Sequence, residues 1–403
     1  MEKYIKNISE EISQDLIKIR RDFHKIPELA NEEFKTSNLI ENVLLNIPHI
    51  QIKSNIGSRT GVMGILQGTK ILEDKNSEKC VLLRADMDAL PIEESVESSY
   101  KSIHPGKMHA CGHDAHITWI LGCAIILSRM RDKFNGSVKF LFQPAEENGT
   151  GAINMIENGI LEEPYVDYVV AAHCFPKYES GKIVIPAKQA FSAAKSFEIT
   201  VKGRGGHGSW PHKCVDPIAI SVQVYNGLQQ IISRKMDSSD SYVLSVGSIH
   251  AGPLDKGNII PDTCTMKGTI RHMTEEGMEF LMREIEKTAT YICKANDANV
   301  EINYSRGVKP IVNDSDLVRL SFDSIKSMMK EDNVEISYEN NLGGEDFSFF
   351  TSERKGVYFF VGSSYKEDIG KFDLHSSDFC IDESILSSTS AYMSKIAIDL
   401  LKK

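Results

Sequence analysis

Between Cys80 and Cys174 short apolar runs alternate with helix-patterned ones: CVLLRADM, a helical stretch over 115–130, VKFLFQP, a second helix from about Ala152, and DYVVAAHC. Short runs rich in β-branched and aromatic residues read as buried strands, and a parallel neighbour can be reached only through a crossover. The order therefore predicts an α/β fold, a largely parallel sheet flanked by helices. Ligands gather at the carboxyl ends of such strands. Polar residues follow three of the runs: Asp86 and Asp88, Glu146 and Glu147, and His173.

The flanking sequence extends this plan. Ile5, Ile8, Ile12, Leu16 and Ile19 recur at helical spacing, TSNLIENVLLN repeats the pattern, and Pro27 separates them, which predicts two helices in the first 47 residues. After Pro186 the texture changes to FEITVKG, a long helix from about Pro217, VLSVGSIHAG, TCTMKGTIR, a helix from Thr274, and VEINYSRG. Those segments predict an antiparallel sheet with two helices on one face. From about Pro310 the pattern returns to helix, GGEDFSFF, VYFFVG and a final amphipathic helix from Glu383. At 403 residues two domains are expected, one of 1–186 with 308–403 and an inserted one of 187–307.

A net charge of −10 argues against nucleic-acid or anionic-membrane partners, which need clustered Lys and Arg, and favours a small molecule. The charged start, MEKYIKNISEEISQDLIKIRRDFHK, lacks the apolar core of a signal peptide, and ITWILGCAIILSRM is too short to span a bilayer. A cytoplasmic location is expected. Eight scattered cysteines in 403 residues make no disulfide scaffold.

MHACGHDAH, residues 108–116, gathers three histidines, a cysteine and an aspartate. Cys111 and His113 offer a thiolate and an imidazole two residues apart, both ligands for zinc-like ions, and equally fit packed residues at a helix start. Asp114 can cap the helix that follows; His109 and His116 carry no clear assignment. In FLFQPAEENGTGA, Glu146 and Glu147 are adjacent, and adjacent residues in extended chain point in opposite directions, so one can bind metal while the other takes a proton from water. The alternative is a solvated turn. Asp86 and Asp88 can orient ligating imidazoles. His173 and His375 complete a set able to converge at one sheet edge. In GRGGHGSWPH four glycines surround His207, either a plain loop or a turn that presents one imidazole; Asn258 and Arg271 are polar candidates, Arg being suited to bidentate capture of a carboxylate.

Taken together, RRDFHKIPELANEE, LLRADMDALP, MHACGHDAH, FQPAEENGTGA, AAHCFP, GRGGHGSWPHKCVDPI, GGEDFSFF and DLHSSDF resemble the aminoacylase/carboxypeptidase metallopeptidases, specifically their N-acyl-amino-acid amidohydrolase branch of hippurate and auxin-conjugate hydrolases. The resemblance covers nearly the whole chain. It implies a zinc-peptidase-like α/β catalytic domain with an inserted α/β lid that commonly dimerises, as a homodimer or higher homo-oligomer. It implies that Cys111, His113, Glu147, His173 and His375 hold two divalent metal ions, whether zinc, manganese, cobalt or nickel. Glu146 becomes the general base and Asp88 the residue that orients metal ligands. Asp86 stands where many other members of the wider family place a metal-binding histidine. His207 matches a lid histidine that polarises the scissile carbonyl, often in the neighbouring subunit, while Asn258 and Arg271 match substrate-binding positions. GHGSWPH departs from the expected GHAA or GHAS and places Trp210 beside His207, and Cys174 is a second thiol near the site. The implied activity is metal-dependent hydrolysis of N-acyl amino acids. The alternatives are a deacetylase of the N-acetyl-diaminopimelate type, a dipeptidase or aminoacylase, and a non-catalytic metal-binding scaffold.

Overall fold

The computed structural model describes residues 1–71, 78–329 and 333–403. The chain divides into two compact units: Met1–Ala190 with Val312–Glu339 and Asp346–Lys403, and Phe191–Ile311 with Asn340–Glu345. In chain order the first unit opens with helices α1 (Glu2–Glu11), α2 (Ser13–His24) and α3 (Phe34–Leu45) and strands β1 (Ile50–Ile56) and β2 (Gly61–Gln67). It continues with β3 (Cys80–Asp86), α4 (His113–Ser128), β4 (Ser137–Gln143), α5 (Gly151–Glu157), β5 (Tyr168–Glu179) and β6 (Ile183–Pro186). The second unit holds β7 (Ala193–Lys202), β8 (Gly206–His207), α6 (Pro217–Arg234), β9 (Tyr242–Ala251), β10 (Ile259–Ile260), β11 (Thr263–His272), α7 (Glu275–Ala295) and β12 (Asn299–Tyr304). The first unit then resumes with α8 (Ser315–Met328), β13 (Val334–Ser337), α9 (Ser348–Glu353), β14 (Lys355–Ser364) and α10 (Ile385–Leu400).

The first unit is built on one eight-stranded sheet in the order β1-β2-β4-β3-β5-β14-β6-β13. Its centre, β4-β3-β5-β14, is parallel. The pairs β1-β2, β2-β4 and β14-β6 are antiparallel. The short link between β1 and β2 allows only a hairpin, hence the antiparallel edge. Every residue of β3 and β4 is buried, as a sheet covered on both faces requires. Helix α4 is buried along nearly its whole length and packs against α2, α10 and β3. No helix among the described residues is long and apolar enough to cross a membrane.

The N-terminal pattern yields three helices where two were expected. The stripe from Ile5 to Ile19 is interrupted at Ile12 (φ −87°, ψ 0°), yet Ile12 still donates to Ile8 O at 3.1 Å and Leu16 to Ile12 O at 3.0 Å. The periodicity survives because the interruption is local. The reading of His173 as a strand end is also corrected. β5 runs on to Glu179, and pairing with β14 continues through His173↔Phe360 and Cys174↔Val361. Pairing of β5 with β3 stops at Arg84↔Ala171, so His173 lies past the last paired residue of β3, level with its terminal Asp86, although it is mid-strand in its own chain.

In the second unit a four-stranded antiparallel sheet, β9-β11-β7-β12, carries α6 and α7 on one face. Ile220, Val224, Leu228 and Ile231 of α6 and Met278, Leu281, Ile285 and Ala289 of α7 pack with Phe197, Ile199 and Val201, which alternate along β7. Asp216 caps α6 by accepting from Ile218 N at 2.9 Å with Pro217 next in line, and Thr274 caps α7 by accepting from Gly277 N at 3.1 Å.

The tightest helix packing that positions the site lies at Gly122 of α4, where a Cβ would run into the Ser390 hydroxyl of α10 and lie 3.2 Å from Leu16 Cδ1. Gly122→Val should destabilise the chain by about 1–3 kcal/mol through overpacking. Denaturant unfolding would check this, and a Ser390→Gly change in the same chain should recover part of the loss.

Candidate metal centre and active site

The chain leaves β3 at Asp86 and places Asp88, buried, beside the turn that follows β4. Asp88 Oδ1 accepts the backbone N–H of Glu146 at 3.1 Å, and Oδ2 accepts that of Glu147 at 3.0 Å. The Glu146–Glu147 pair therefore lies in a turn, closed by Gly149 N donating to Glu146 O at 2.7 Å, and not in extended chain. Ala145 enters that turn at φ +54° and donates its N–H to Glu33 Oε1 at 3.0 Å. The opposite directions expected of extended chain are not kept: the turn leaves one oxygen of each carboxylate within 4.8 Å of the other. Glu146 Oε1 accepts the Asp346 N–H at 3.4 Å, while Glu147 Oε1 lies 3.4 Å from His375 Nε2 and 4.0 Å from His113 Nε2.

Cys111 and His113 flank Gly112, whose φ of +79° and closeness to Cys174 Sγ exclude any side chain there. His113 Nδ1 donates to Asp88 O at 2.8 Å and His173 Nδ1 to Cys174 O at 2.6 Å. Each ring thus turns its Nε2 lone pair inward, the arrangement of a metal-ready imidazole. Cys111 Sγ lies 3.4 Å from His173 Nε2. His375, at φ +65°, is held by its N–H on Ala110 O at 2.9 Å. Donor atoms of Cys111, His113 and His173 lie within 4.8 Å of one another, and so do those of Cys111, Glu147 and His375 and those of His113, Glu146 and Glu147.

The chemistry of these donors fits cations. His113 Nε2 and Glu147 Oε1 are buried without a hydrogen-bond partner, a cost that a coordinated ion removes. Sulfur, imidazole nitrogen and carboxylate oxygen together suit borderline divalent ions. Burial opposes charge on His113, but Asp86, Asp88 and Glu147 outweigh it and lift the imidazole to about 10. Burial, then Glu147 and Glu146, pushes the Cys111 thiol well above its ordinary value. Burial, then His116, holds His173 well below the usual imidazole range, with its lone pair free. The raised His113 and Cys111 reflect the carboxylates gathered around them, whereas the lowered His173 reflects burial and the neighbouring imidazoles.

His116 and Asp86 hold the centre from beneath. His116 Nδ1 pairs with Asp86 Oδ1, and its Nε2 accepts the Cys174 N–H at 3.0 Å, so neither ring nitrogen is left for a metal. Asp86 Oδ2 accepts from Arg84 Nη1 at 2.6 Å. Burial resists charge on Asp86, yet His113, His116 and Arg84 keep its carboxyl well below the usual range. Asp114 does not cap α4. Its Oδ2 is taken by Arg20 Nε at 2.8 Å and His24 Nδ1 at 2.7 Å, which tie α2 to the start of α4. His109 is buried, and burial pushes its ring down to about 3, so it stays neutral.

Four supporting residues, Arg84, Gln143, Asp346 and Glu33, were not identified from sequence. Arg84 also donates to Gln143 Oε1 at 2.9 Å and to Asp346 Oδ1 at 3.0 Å; Gln143 Nε2 donates to the same Asp346 carboxylate at 2.8 and 3.0 Å, and Ala152 N at 2.9 Å. The signal was a charged residue inside the apolar run VLLRAD and the acid of GGEDF. Glu33 accepts from Asn31 N, Ala145 N and the Thr60 hydroxyl at 2.8–3.0 Å with no cation beside it.

The second unit carries His207, Asn258 and Arg271. The pairing Ile259↔His207 and the bond from Gly208 N to Asn258 O at 2.9 Å bring His207 and Asn258 together. His207 is exposed and its Nδ1 accepts the Ser209 N–H at 3.1 Å, so a neutral ring carries its proton on Nε2 and presents a donor. Arg271, on β11, donates to Leu342 O at 2.8 Å, and no carboxylate pairs with it among the described residues.

Comparison with known proteins follows the same lines. The model of peptidase family M20/M25/M40 matches residues 82–399. Thermostable carboxypeptidase 2 of Saccharolobus solfataricus is 37% identical over 402 residues, spanning 99% of this chain and 98% of that protein. The hippurate hydrolase of Campylobacter jejuni is 35% identical, spanning 96% of each. A crystal structure of the Bacillus subtilis YxeP protein, described as a dinuclear metal-binding peptidase of the M20 family, superposes with a TM-score of 0.83 at 28% identity, covering 98% of this chain and 99% of that one.

Burial first, and then Asp88, raises the Glu33 carboxyl from 4.5 to about 7. The folded state holds that proton more tightly than the unfolded one, so this group's stabilisation is complete below about 4.5 and lost as pH rises through about 7. In chelator-treated protein, the melting temperature of Glu33→Gln relative to the parent should therefore rise between pH 4.5 and 8. A difference that stays constant across that range would contradict the assignment.

Proposed function

The chain belongs to peptidase family M20/M25/M40 and is a metal-dependent amidohydrolase, and from that premise we propose that it cleaves the amide bond of N-acyl amino acids, releasing a carboxylic acid and the amino acid. The observation that carries this reading is the set of three overlapping donor groups linked through Cys111, His113 and Glu147, with Glu146 held beside them by its backbone N–H on Asp88. Cys111, His113, Glu147, His173 and His375 would hold two divalent ions. Zinc suits the thiolate and imidazoles; manganese, cobalt and nickel are the alternatives. Two such ions supply Lewis acidity and make water a stronger nucleophile at neutral pH.

The chain's own residues do the rest. Glu146 takes a proton from the attacking water and later delivers it to the leaving amine. Asp88, through the backbone amides of Glu146 and Glu147 and the carbonyl facing His113, fixes the base and two ligands in one geometry. His207, with its proton on Nε2, donates to the carbonyl oxygen as charge develops there, supplied by its own chain or by a second copy. Arg271, half-buried and unpaired by any carboxylate, takes the carboxylate of the amino acid, with Asn258 as a further polar contact. The similarity to the Saccharolobus carboxypeptidase favours a second reading of the same chemistry, removal of a C-terminal amino acid from a peptide.

A homodimer fits the second unit. Ile218, Val222 and Tyr225 form an exposed stripe along α6, and β9 is a sheet edge with Ile249 exposed. Exposed apolar stripes and open edges call for a partner. We place the enzyme in the cytoplasm, where Cys111 stays reduced.

Metal-loaded protein should hydrolyse at least one member of a panel of acetyl, benzoyl, indoleacetyl and succinyl amino acids and blocked dipeptides. Glu146→Gln should keep its metal content and lose turnover by about 10²–10⁴-fold; full activity in that variant would remove Glu146 as the base. Val222→Glu should convert the dimer to monomer by light scattering, and an unchanged mass would place the interface elsewhere.

A further inference from the structure

We propose that Trp210 is a specificity-determining residue whose indole packs against the acyl group of the substrate and selects aromatic acyl groups. The proposal rests on the N-acyl amino acid reading above and on His207 meeting the scissile carbonyl.

The two rings travel together. The imidazole of His207 and the indole of Trp210 lie with centroids 5.1 Å apart at 36°. Trp210 N donates to His207 O at 2.8 Å and Ser209 N to His207 Nδ1 at 3.1 Å, so the turn is closed by its own backbone. On its far side the turn is closed by Lys213 N and Cys214 Sγ, which donate to Trp210 O at 3.0 and 3.6 Å, and the Lys213 ammonium lies 5.0 Å from the indole centroid. Wherever His207 is delivered, the indole arrives with it.

The indole has apolar surface to cover. Trp210 is 54% exposed, a large open area for one of the two tryptophans of the protein, the other being buried, and neither His207 nor Lys213 hides it. Substrate is the body that His207 must touch, so substrate is the body that covers the indole. The acyl substituent begins one bond from the carbonyl carbon, whereas the amino-acid side chain begins three bonds away and its carboxylate is directed to Arg271. The acyl side is therefore the nearer neighbour. A flat acyl group gains both buried area and ring–ring contact there, and an acetyl group gains neither.

The test measures kcat/KM for the N-acetyl and N-benzoyl derivatives of one amino acid, with the metal-loaded parent, Trp210→Ala, Trp210→Phe and His207→Ala. Trp210→Ala should lower the benzoyl-to-acetyl ratio about tenfold, chiefly through KM, and Trp210→Phe should recover most of it. His207→Ala should lower both substrates by the same factor. A Trp210→Ala ratio within twofold of the parent overturns the proposal, including the case in which the variant loses both activities equally as its oligomer dissociates. If the parent cleaves both substrates and the ratio does not move, only the role of Trp210 falls. If the parent cleaves no N-acyl amino acid, the substrate reading falls and this proposal with it.

Discussion

The interaction on which the site depends is the burial of more negative charge than the protein itself neutralises. Asp86, Asp88, Glu147 and the Cys111 thiol converge at the carboxyl ends of β3 and β4, in a region where an unpaired charge costs several kcal/mol. Part of that charge is answered internally. Asp86 is spent on Arg84 and His116, and Asp88 on two backbone amides. What is left over, the Nε2 of His113 and the Oε1 of Glu147, has no hydrogen-bond partner among the described residues. An external positive charge would answer both, and the same carboxylates, Asp86, Asp88 and Glu147, are what raise the imidazole of His113.

The architecture that delivers these groups was largely legible because it follows from local pattern. Apolar runs and 3.6-residue periods identified β3, β4, β5, α4 and the elements of the second unit, and polar residues just after the strands pointed to the sheet edge where the donors meet. Local pattern also misled where pairing decides the outcome. His173 reads as a strand end because it closes the apolar run YVVAA, but β14 keeps β5 extended past it, and pairing with β3 ends two residues before it. The Glu146–Glu147 pair reads as the end of an extended strand, but Asp88 and Glu33 pull the backbone into a turn.

The supporting residues were illegible for a related reason. Arg84 and Asp346 are 262 positions apart, and nothing in the neighbourhood of either names the other. A charged residue within VLLRAD announces only that some buried partner must exist. Asp114 was open to a capping role because helix starts favour aspartate, and its true partners, Arg20 and His24, lie on a helix about ninety positions earlier. In each case the side chain's chemistry was visible and its address was not.

Asp86 shows how such a network can redefine a position. A buried carboxylate at this place would be a competent metal ligand if its oxygens were free. They are not: Oδ1 faces His116 and Oδ2 faces Arg84, which is itself anchored on Asp346. Arg84 and His116 thus keep Asp86 out of the proposed ligand set, in which Cys111, with its Sγ 3.4 Å from His173 Nε2, is the sulfur donor. The thiol in the proposed ligand set and the aspartate outside it are two halves of one electrostatic arrangement.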